Sequence, residues 1–300
     1  MKIAVTGSTG FVGGHLSRLL AAEGHEVALI SRRNGIDLTD AAALTQAFTG
    51  CAAIVHCAGI NRELGRQTYA AVHVEGTRTV VNSAKRAAVP KVVLMSFLRA
   101  RPNCGSAYHE TKWAAEEMVR GAGLDYTIVK AGMTYGRGDH MLDHLSHSLF
   151  TIPVFATVGI AERPIRPLAI HDLIAVLRAS AVTDRLSGKT VALVGAEELL
   201  LSEAVRRVAG ILGKRVFVVP CPIPVQSVLA QVFEWTMTIP LVAKAQVRIL
   251  SEGVVEPATQ YDLLPADLMP QQKFTEANIR AGLPPPGPFG LRDLRCCSGA

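Results

Sequence analysis

The run Val5-Thr6-Gly7-Ser8-Thr9-Gly10-Phe11-Val12-Gly13-Gly14-His15 places Gly7, Gly10 and Gly13 three residues apart, at the start of the chain. An apolar, β-branched run over residues 2–6 precedes it, and residues 11–22 carry apolar side chains at helical spacing. A strand that turns this tightly into a helix needs glycine, which takes positive φ and lets other groups come close. The helix start offers free N–H groups and the positive end of its dipole, a setting that suits a pyrophosphate. The turn therefore reads as a dinucleotide cradle opening a βαβ unit.

The rest of the first half repeats the alternation. Apolar strand-like runs fall at 26–31, 53–57, 92–95 and 126–130, and helical patterns at 41–48, 68–88 and 107–121. Short connections between them imply a parallel sheet covered by helices on both faces. The strands are apolar without alternation, as in a sheet buried on both sides. The expected fold is α/β, a doubly wound parallel sheet (Rossmann) with a smaller C-terminal substrate part. Residues 1–135 plus 172–194 are assigned to the dinucleotide domain, 136–171 plus 195–282 to the substrate or lid part, and 283–300 to a mobile proline-rich tail.

The second strand ends in Ser31-Arg32-Arg33, where an acid would otherwise hold a ribose 2′-hydroxyl. Arginines there suit a 2′-phosphate through forked, charge-assisted contacts. NADP is therefore expected over NAD, the alternative being that both arginines only face solvent. Asp37 is placed to hold an adenine amino group. Further on, Tyr108 and Lys112 in "SAYHETK" are four apart on a helix and share a face. A neighbouring ammonium is expected to move the phenol toward working range as an acid/base.

These blocks resemble the short-chain dehydrogenase/reductase superfamily, in its extended or atypical form that includes sugar-nucleotide epimerases. "TGSTGFVGGHL", "GIDLTDAAAL", "AIVHCAGI", "VHVEGTRTVVNSAKRAAVPKVVLMS", "YHETKWAAEEMVR" and "PIRPLAIHDLIAVL" carry the likeness over about residues 1 to 195. The stretches "VVLMSFLRARPNCGSAYHETK" and "IPLVAKAQVRIL" are most similar to the branch of the NADH–ubiquinone oxidoreductase accessory subunit. The resemblance implies NAD(P) contacts at Gly7, Ser8, Thr9, Gly10, Phe11, Val12, Arg32, Arg33, Asp37, Leu38, Cys57, Ala58 and Gly59, then at Tyr108, Lys112, Lys130, Ala131 and Gly132. It implies Tyr108 as acid/base, Lys112 as its partner and a hydroxyl near Ser96. The residue where the hydroxyl is expected is Phe97 or Leu98, with Ser106 or Thr111 as substitutes. Lys130-Ala131 stands where the family carries Arg-Pro, and His73 where it often carries asparagine. The implied activity is oxidoreductase or epimerase chemistry on a small carbonyl or alcohol. A catalytically silent NADPH-binding subunit or sensor is the alternative.

Other features narrow the partners. The net charge of +6 is scattered with no run of five basic residues, so no nucleic-acid partner is expected. The cysteines lack metal-type spacing, and His140, His144 and His147 read as a helix near a substrate cleft, so no metal is expected. Asp172 is expected to cap a helix. No leader is read before the first strand, which points to a reducing cytoplasm, and the Cys297-Ser298-Gly299-Ala300 end lacks the aliphatic residues of a prenylation signal. From Val216 to Ala243 the only charge is Glu234, but prolines at 220, 222, 224 and 240 argue against a membrane span. Val225, Val228, Leu229, Val232 and Phe233 share a helix face, expected to pack into the core or lid. The remaining alternative for that face is a peripheral membrane or protein partner. Homo-oligomerisation is left open.

Overall fold

The computed structural model describes residues 1–237 and 241–289. Cys296, Cys297 and the tail from residue 290 lie outside the described residues. In chain order the elements begin β1 (Lys2–Thr6), α1 (Phe11–Ala22), β2 (Glu26–Ile30), α2 (Ala41–Phe48), β3 (Ala53–His56), α3 (Gly76–Arg86), β4 (Lys91–Phe97), α4 (Ala107–Arg120) and β5 (Asp125–Ala131). They continue with β6 (Thr134–Tyr135), α5 (His140–Thr151), β7 (Val154–Val158), β8 (Pro164–Ile165), β9 (Leu168–Ala169), α6 (Ile170–Val182), β10 (Lys189–Leu193) and β11 (Leu199–Leu200). The last are α7 (Leu201–Ile211), β12 (Phe217–Cys221), α8 (Ile223–Thr236), α9 (Lys244–Glu252) and α10 (Glu276–Gly282).

The chain divides into two compact units. The first comprises Met1–Gly132, Ile170–Leu193 and Pro257–Pro270. Its six-stranded sheet runs β10-β5-β4-β3-β1-β2, and every pairing in it is parallel. The strand order reverses beside β1: the chain steps to β2 on one side and returns as β3 on the other. A crevice opens at the carboxyl ends of strands at such a reversal. Helices α1 and α6 cover one face and α2, α3 and α4 the other. Ile54, Val92, Leu94 and Ile128 from the strands pack with Leu44, Phe48, Val80 and Val119 from the helices, which is why these strands are apolar throughout. The returning segment ties to β10, where Asp262 accepts from the Thr190 N–H at 2.8 Å.

Charges are also buried in this unit. Lys130 on β5 and Glu116 on α4 are both fully buried and meet at 2.7 Å. The ammonium also donates to the Ala100 carbonyl at 3.1 Å, and Ser96 donates to Glu116 at 2.5 Å. Burial lowers the Lys130 pKa, and Glu116 opposes that shift. The resemblance implies a catalytic hydroxyl near Ser96 and a cofactor contact at Lys130; the structure turns both side chains into this internal network instead. Helix α6 starts at Ile170, so Asp172 lies within its first turn rather than capping it.

The second unit comprises residues 133–169, 194–256 and 271–300 as far as they are described. Its core gathers Leu142, Leu145, Ile165, Leu199, Val205, Val208, Phe274 and Ile279. The Tyr135 ring meets Phe274 edge-on at 4.9 Å. β7 and β12 form a parallel pair in which Val154 opposes Phe217. In α8 the expectation of a face packed into core or lid is overturned: Val225, Val228, Leu229 and Val232 are exposed, while Gln226 and Ala230 are buried. Pro222 and Pro224 do not break this helix, because they sit at its cap and first turn, where no N–H is needed.

The Glu116–Lys130 pair yields a stability prediction. Removing one member of a buried pair strands the other charge, at a cost of about 3–5 kcal/mol. Glu116→Ala should lose about that much in urea denaturation, whereas Glu116→Leu with Lys130→Met should recover most of it. Equal losses in both variants would show that the pair does not set the cost.

Candidate active site

The glycine turn is shaped by what it cannot contain. Gly7 sits at φ +70, and a Cβ there would lie 2.8 Å from the Ala58 backbone. A Cβ on Gly13 would lie 2.3 Å from the Gly7 carbonyl oxygen, which accepts the Gly10 N–H at 2.9 Å. Gly10 caps α1 without a side-chain bond, and no acid occupies the first turn. The first N–H groups of α1 are thus left for an anion. Ser8 is buried while Thr9 and Gly10 are exposed at the rim, with Phe11 and Val12 beginning the helix. Cys57, Ala58 and Gly59 follow β3 against this turn, and the Ala58 N–H reaches the Thr6 hydroxyl at 3.4 Å. These residues, two segments at the strand reversal, fit a dinucleotide pyrophosphate.

Arg32 and Arg33 lie exposed in a short 3-10 turn after β2. Asn34 ties that turn to the glycine loop through its amide, which donates to the Ser8 hydroxyl at 3.4 Å. Asp37 is engaged locally: its carboxylate accepts from the Thr39 N–H at 2.9 Å and hydroxyl at 2.8 Å. Those bonds, with help from Arg32, lower its pKa. Leu38 packs beside Gly76. Ala131 ends β5, and the Gly132 N–H donates to the Leu193 carbonyl at 2.9 Å.

Helix α4 brings Tyr108 and Lys112 to the same crevice but not to each other's service. The Lys112 ammonium donates to the Met95 carbonyl at 3.3 Å and lies 3.1 Å from where a Gly59 Cβ would be. Burial lowers its pKa to about 8. The Tyr108 phenol is raised, first by burial and then by Tyr69, which is opposite to the expected lowering by Lys112. Its hydroxyl points to the Asn61 carboxamide at 3.5 Å. Rings of Tyr69, His73, Phe97 and His109 stand within 6 Å of it. Phe97 occupies the end of β4 where a hydroxyl is expected. The suggested substitutes are engaged elsewhere, Ser106 with His109 at 2.6 Å and Thr111 with His73 at 3.0 Å.

No signal in the sequence marks the chain of hydrogen bonds beneath this site. His73 lies in a π-turn, Ala70–Glu75, that leads into α3. Its Nε2 accepts from the Ile60 N–H at 3.2 Å, so Nδ1 carries the proton and donates to Thr111, which donates onward to the Ala107 carbonyl. Likewise Thr77 donates to the His73 carbonyl at 2.6 Å and accepts from His56 Nε2 at 3.1 Å, leaving His56 Nδ1 to accept from Thr6 at 2.6 Å. Burial, aided by Lys112, pushes His56 to about 3 and His73 to about 2. Both rings are neutral, and each has one fixed tautomer. Burial also pushes the Cys57 thiol up to about 12, so it is no thiolate. His140, His144 and His147 lie on α5, and no metal-ligating cluster of three occurs among the described residues.

The profile described as the NAD dependent epimerase/dehydratase family matches residues 3–152, which hold the glycine turn, the β3 loop and Tyr108 with Lys112. The chain belongs to this family. Relatives of the epimerase/dehydratase chain include a ceramide reductase of Caulobacter vibrioides, 28% identical over 236 residues and 74% of each chain. The chain also matches an uncharacterized protein of Mycobacterium tuberculosis, 26% identical over 74% of this chain, and spans only 24% of that protein's length. A UDP-glucuronic acid 4-epimerase from Bacillus cereus, solved as a tyrosine-to-phenylalanine mutant, superposes with a TM-score of 0.70 at 16% identity, covering 94% of this chain and 97% of that one. At that identity the likeness shows the fold. The profile match carries the family; the branch related to the NADH–ubiquinone oxidoreductase subunit stays a resemblance of sequence.

Two buried neutral histidines make stability pH-dependent. Their folded pKa values lie below the unfolded value of 6.5, so the unfolded chain binds the extra protons. Their contribution is whole above about 6.5 and is lost as pH falls toward 3, at about 1.4 kcal/mol per pH unit for each ring. His73→Asn, which keeps a donor near Nδ1, should remove about half of the histidine part of that slope in denaturation series between pH 7 and 5. An unchanged slope would show that His73 is not buried neutral.

Proposed function

We propose that this chain is an NADP-dependent oxidoreductase that reduces a small carbonyl group borne on an apolar carrier, with Tyr108 as its proton donor. The observation that carries this reading is the placement of α4 against the loop after β3, with Lys112 beside Gly59 and the Tyr108 hydroxyl 3.5 Å from Asn61 among the rings of Tyr69 and Phe97. NADP is the proposed cofactor, with NAD as the alternative. The glycine turn and Cys57–Gly59 would hold its pyrophosphate, Arg32 and Arg33 a 2′-phosphate, and Lys112, with Ala131 and Gly132, the nicotinamide end. Bound there, the cofactor supplies a hydride.

Tyr108 would enter the reaction with its proton on: a phenol is neutral at about pH 7, and burial raises its pKa further. That state suits reduction: the substrate oxygen gains negative charge as its carbon takes the hydride, and the phenol delivers a proton to it. The Asn61 carboxamide, 3.5 Å from the phenol hydroxyl, would orient the same oxygen. Phe97 and Tyr69 give the carrier apolar walls and exclude water. The His73–Thr111 bond holds α4 in place, so the phenol does not wander. The relative named as a ceramide reductase supports reductase chemistry on a lipid-like molecule.

The test is titration with NADPH and NADH followed by NADPH oxidation on a panel of short- and long-chain carbonyls. Tyr108→Phe should leave NADPH affinity within about twofold while lowering turnover by about 10² to 10⁴. Replacing Arg32 and Arg33 by Ala should weaken NADPH at least about tenfold and leave NADH unchanged, as expected for lost charge-assisted bonds. Tight binding without turnover on any carbonyl would replace the enzyme by a nucleotide-binding subunit or sensor. Failure to bind either nucleotide would overturn the reading.

A further inference from the structure

Helix α8 faces solvent with the side chains its pattern would be expected to bury. Val225, Val228, Leu229, Val232 and Trp235 recur at i, i+3, i+4, i+7 and i+10, one stripe of a helix. All are exposed, Val228 at 64% and Trp235 at 68%. The helix is seated by its other side, where Ala230 is buried and the buried Gln226 amide donates to the Ala156 carbonyl at 3.4 Å. On the preceding strand β12, Phe217 is also exposed, at 67%, beside the exposed Val154.

Charge marks the ends of this segment. Between Val216 and Ala243 Glu234 is the only charged residue, and its carboxylate accepts from the Lys244 N–H at 2.9 Å. Lys214 and Arg215 stand just before β12, and Lys244 stands at the far end of α8; all three are exposed. We propose that α8 lies in the interface of an anionic lipid bilayer. The stripe would enter the acyl boundary, with Trp235 at headgroup level and the three cations on lipid phosphates. At about 1.5 Å per residue, 14 residues are too short to cross the hydrocarbon. No helix among the described residues is long and apolar enough to cross a membrane. A second copy is a poorer occupant: face-to-face pairing would bring like-charged ends together in a chain already at +6. The proposal stands independently of the reductase reading.

The test is cosedimentation of the full chain with vesicles of phosphatidylcholine alone, or of phosphatidylcholine with phosphatidylglycerol. Binding should be strong only to the anionic vesicles and should weaken with salt. Val228→Asp with Val232→Asp should lower it at least tenfold without shifting the thermal melt, because both side chains are exposed. Each of Lys214→Gln and Arg215→Gln should lower it about fivefold. In a Trp113→Phe background, which leaves Trp235 as the only tryptophan, emission should move to shorter wavelength on vesicles and be quenched by brominated lipid. No binding to either vesicle, or binding indifferent to the aspartate pair, would overturn the proposal. So would a dimer in light scattering that the aspartate pair dissociates, since a second copy would then hold the face.

Discussion

The Gly7 carbonyl oxygen accepts the Gly10 N–H and lies where a side chain on Gly13 would have to go. Gly7 in turn leaves space that Ala58 fills from the next strand over. Three segments therefore interlock through backbone alone: the end of β1, the start of α1 and the loop after β3. That contact sets how closely α1 approaches the sheet and where its uncapped N–H groups point. It also fixes the floor on which Gly59 meets Lys112. A methyl group at either glycine would force the strand ends apart and move every group the crevice offers.

Beneath that floor the polar groups are arranged by direction rather than by charge. Donors and acceptors run from Ala58 and Thr6 through His56 to Thr77, and from Ile60 through His73 to Thr111 and the Ala107 carbonyl. Each bond fixes the tautomer of the ring beside it, so neither histidine can take a proton without breaking a bond. The chain thus links the loop carrying Asn61 to the helix carrying Tyr108. The charged residues are handled separately: Lys130 and Glu116 neutralise each other on the far part of α4, and Trp113 lies under both Lys130 and Arg120.

What the sequence could reveal followed from how local each cause was. The glycine turn was legible because the need for glycine arises within seven residues, and the parallel sheet because apolar strands repeated between helical patterns. Tyr108 and Lys112 were legible as one helix face. Their electrostatics were not, since the phenol's shift comes from burial and from Tyr69, far away in sequence. Ser96 and Lys130 differ from expectation for the same reason: the family resemblance implies a role for each, but Glu116 on a separate helix decides where those side chains turn. For α8 the periodicity identified which residues share a face, yet periodicity carries no sign. Only tertiary contact says that Gln226 and Ala230, rather than Val228 and Val232, face the protein.

The replacement of a hydroxyl by Phe97 bears on the proposed chemistry. A second donor at the reacting oxygen would stabilise developing negative charge, and one such donor can be worth about a hundredfold in rate. Phe97 removes it and places a ring 5.3 Å from the Tyr108 ring. That ring is one of those that bury the phenol, and burial raises its pKa above the ordinary tyrosine value. Under the proposed reading, Phe97 therefore gives up transition-state stabilisation in exchange for an apolar wall that suits an apolar substrate, and Tyr108 is left as the one proton donor at the reacting oxygen.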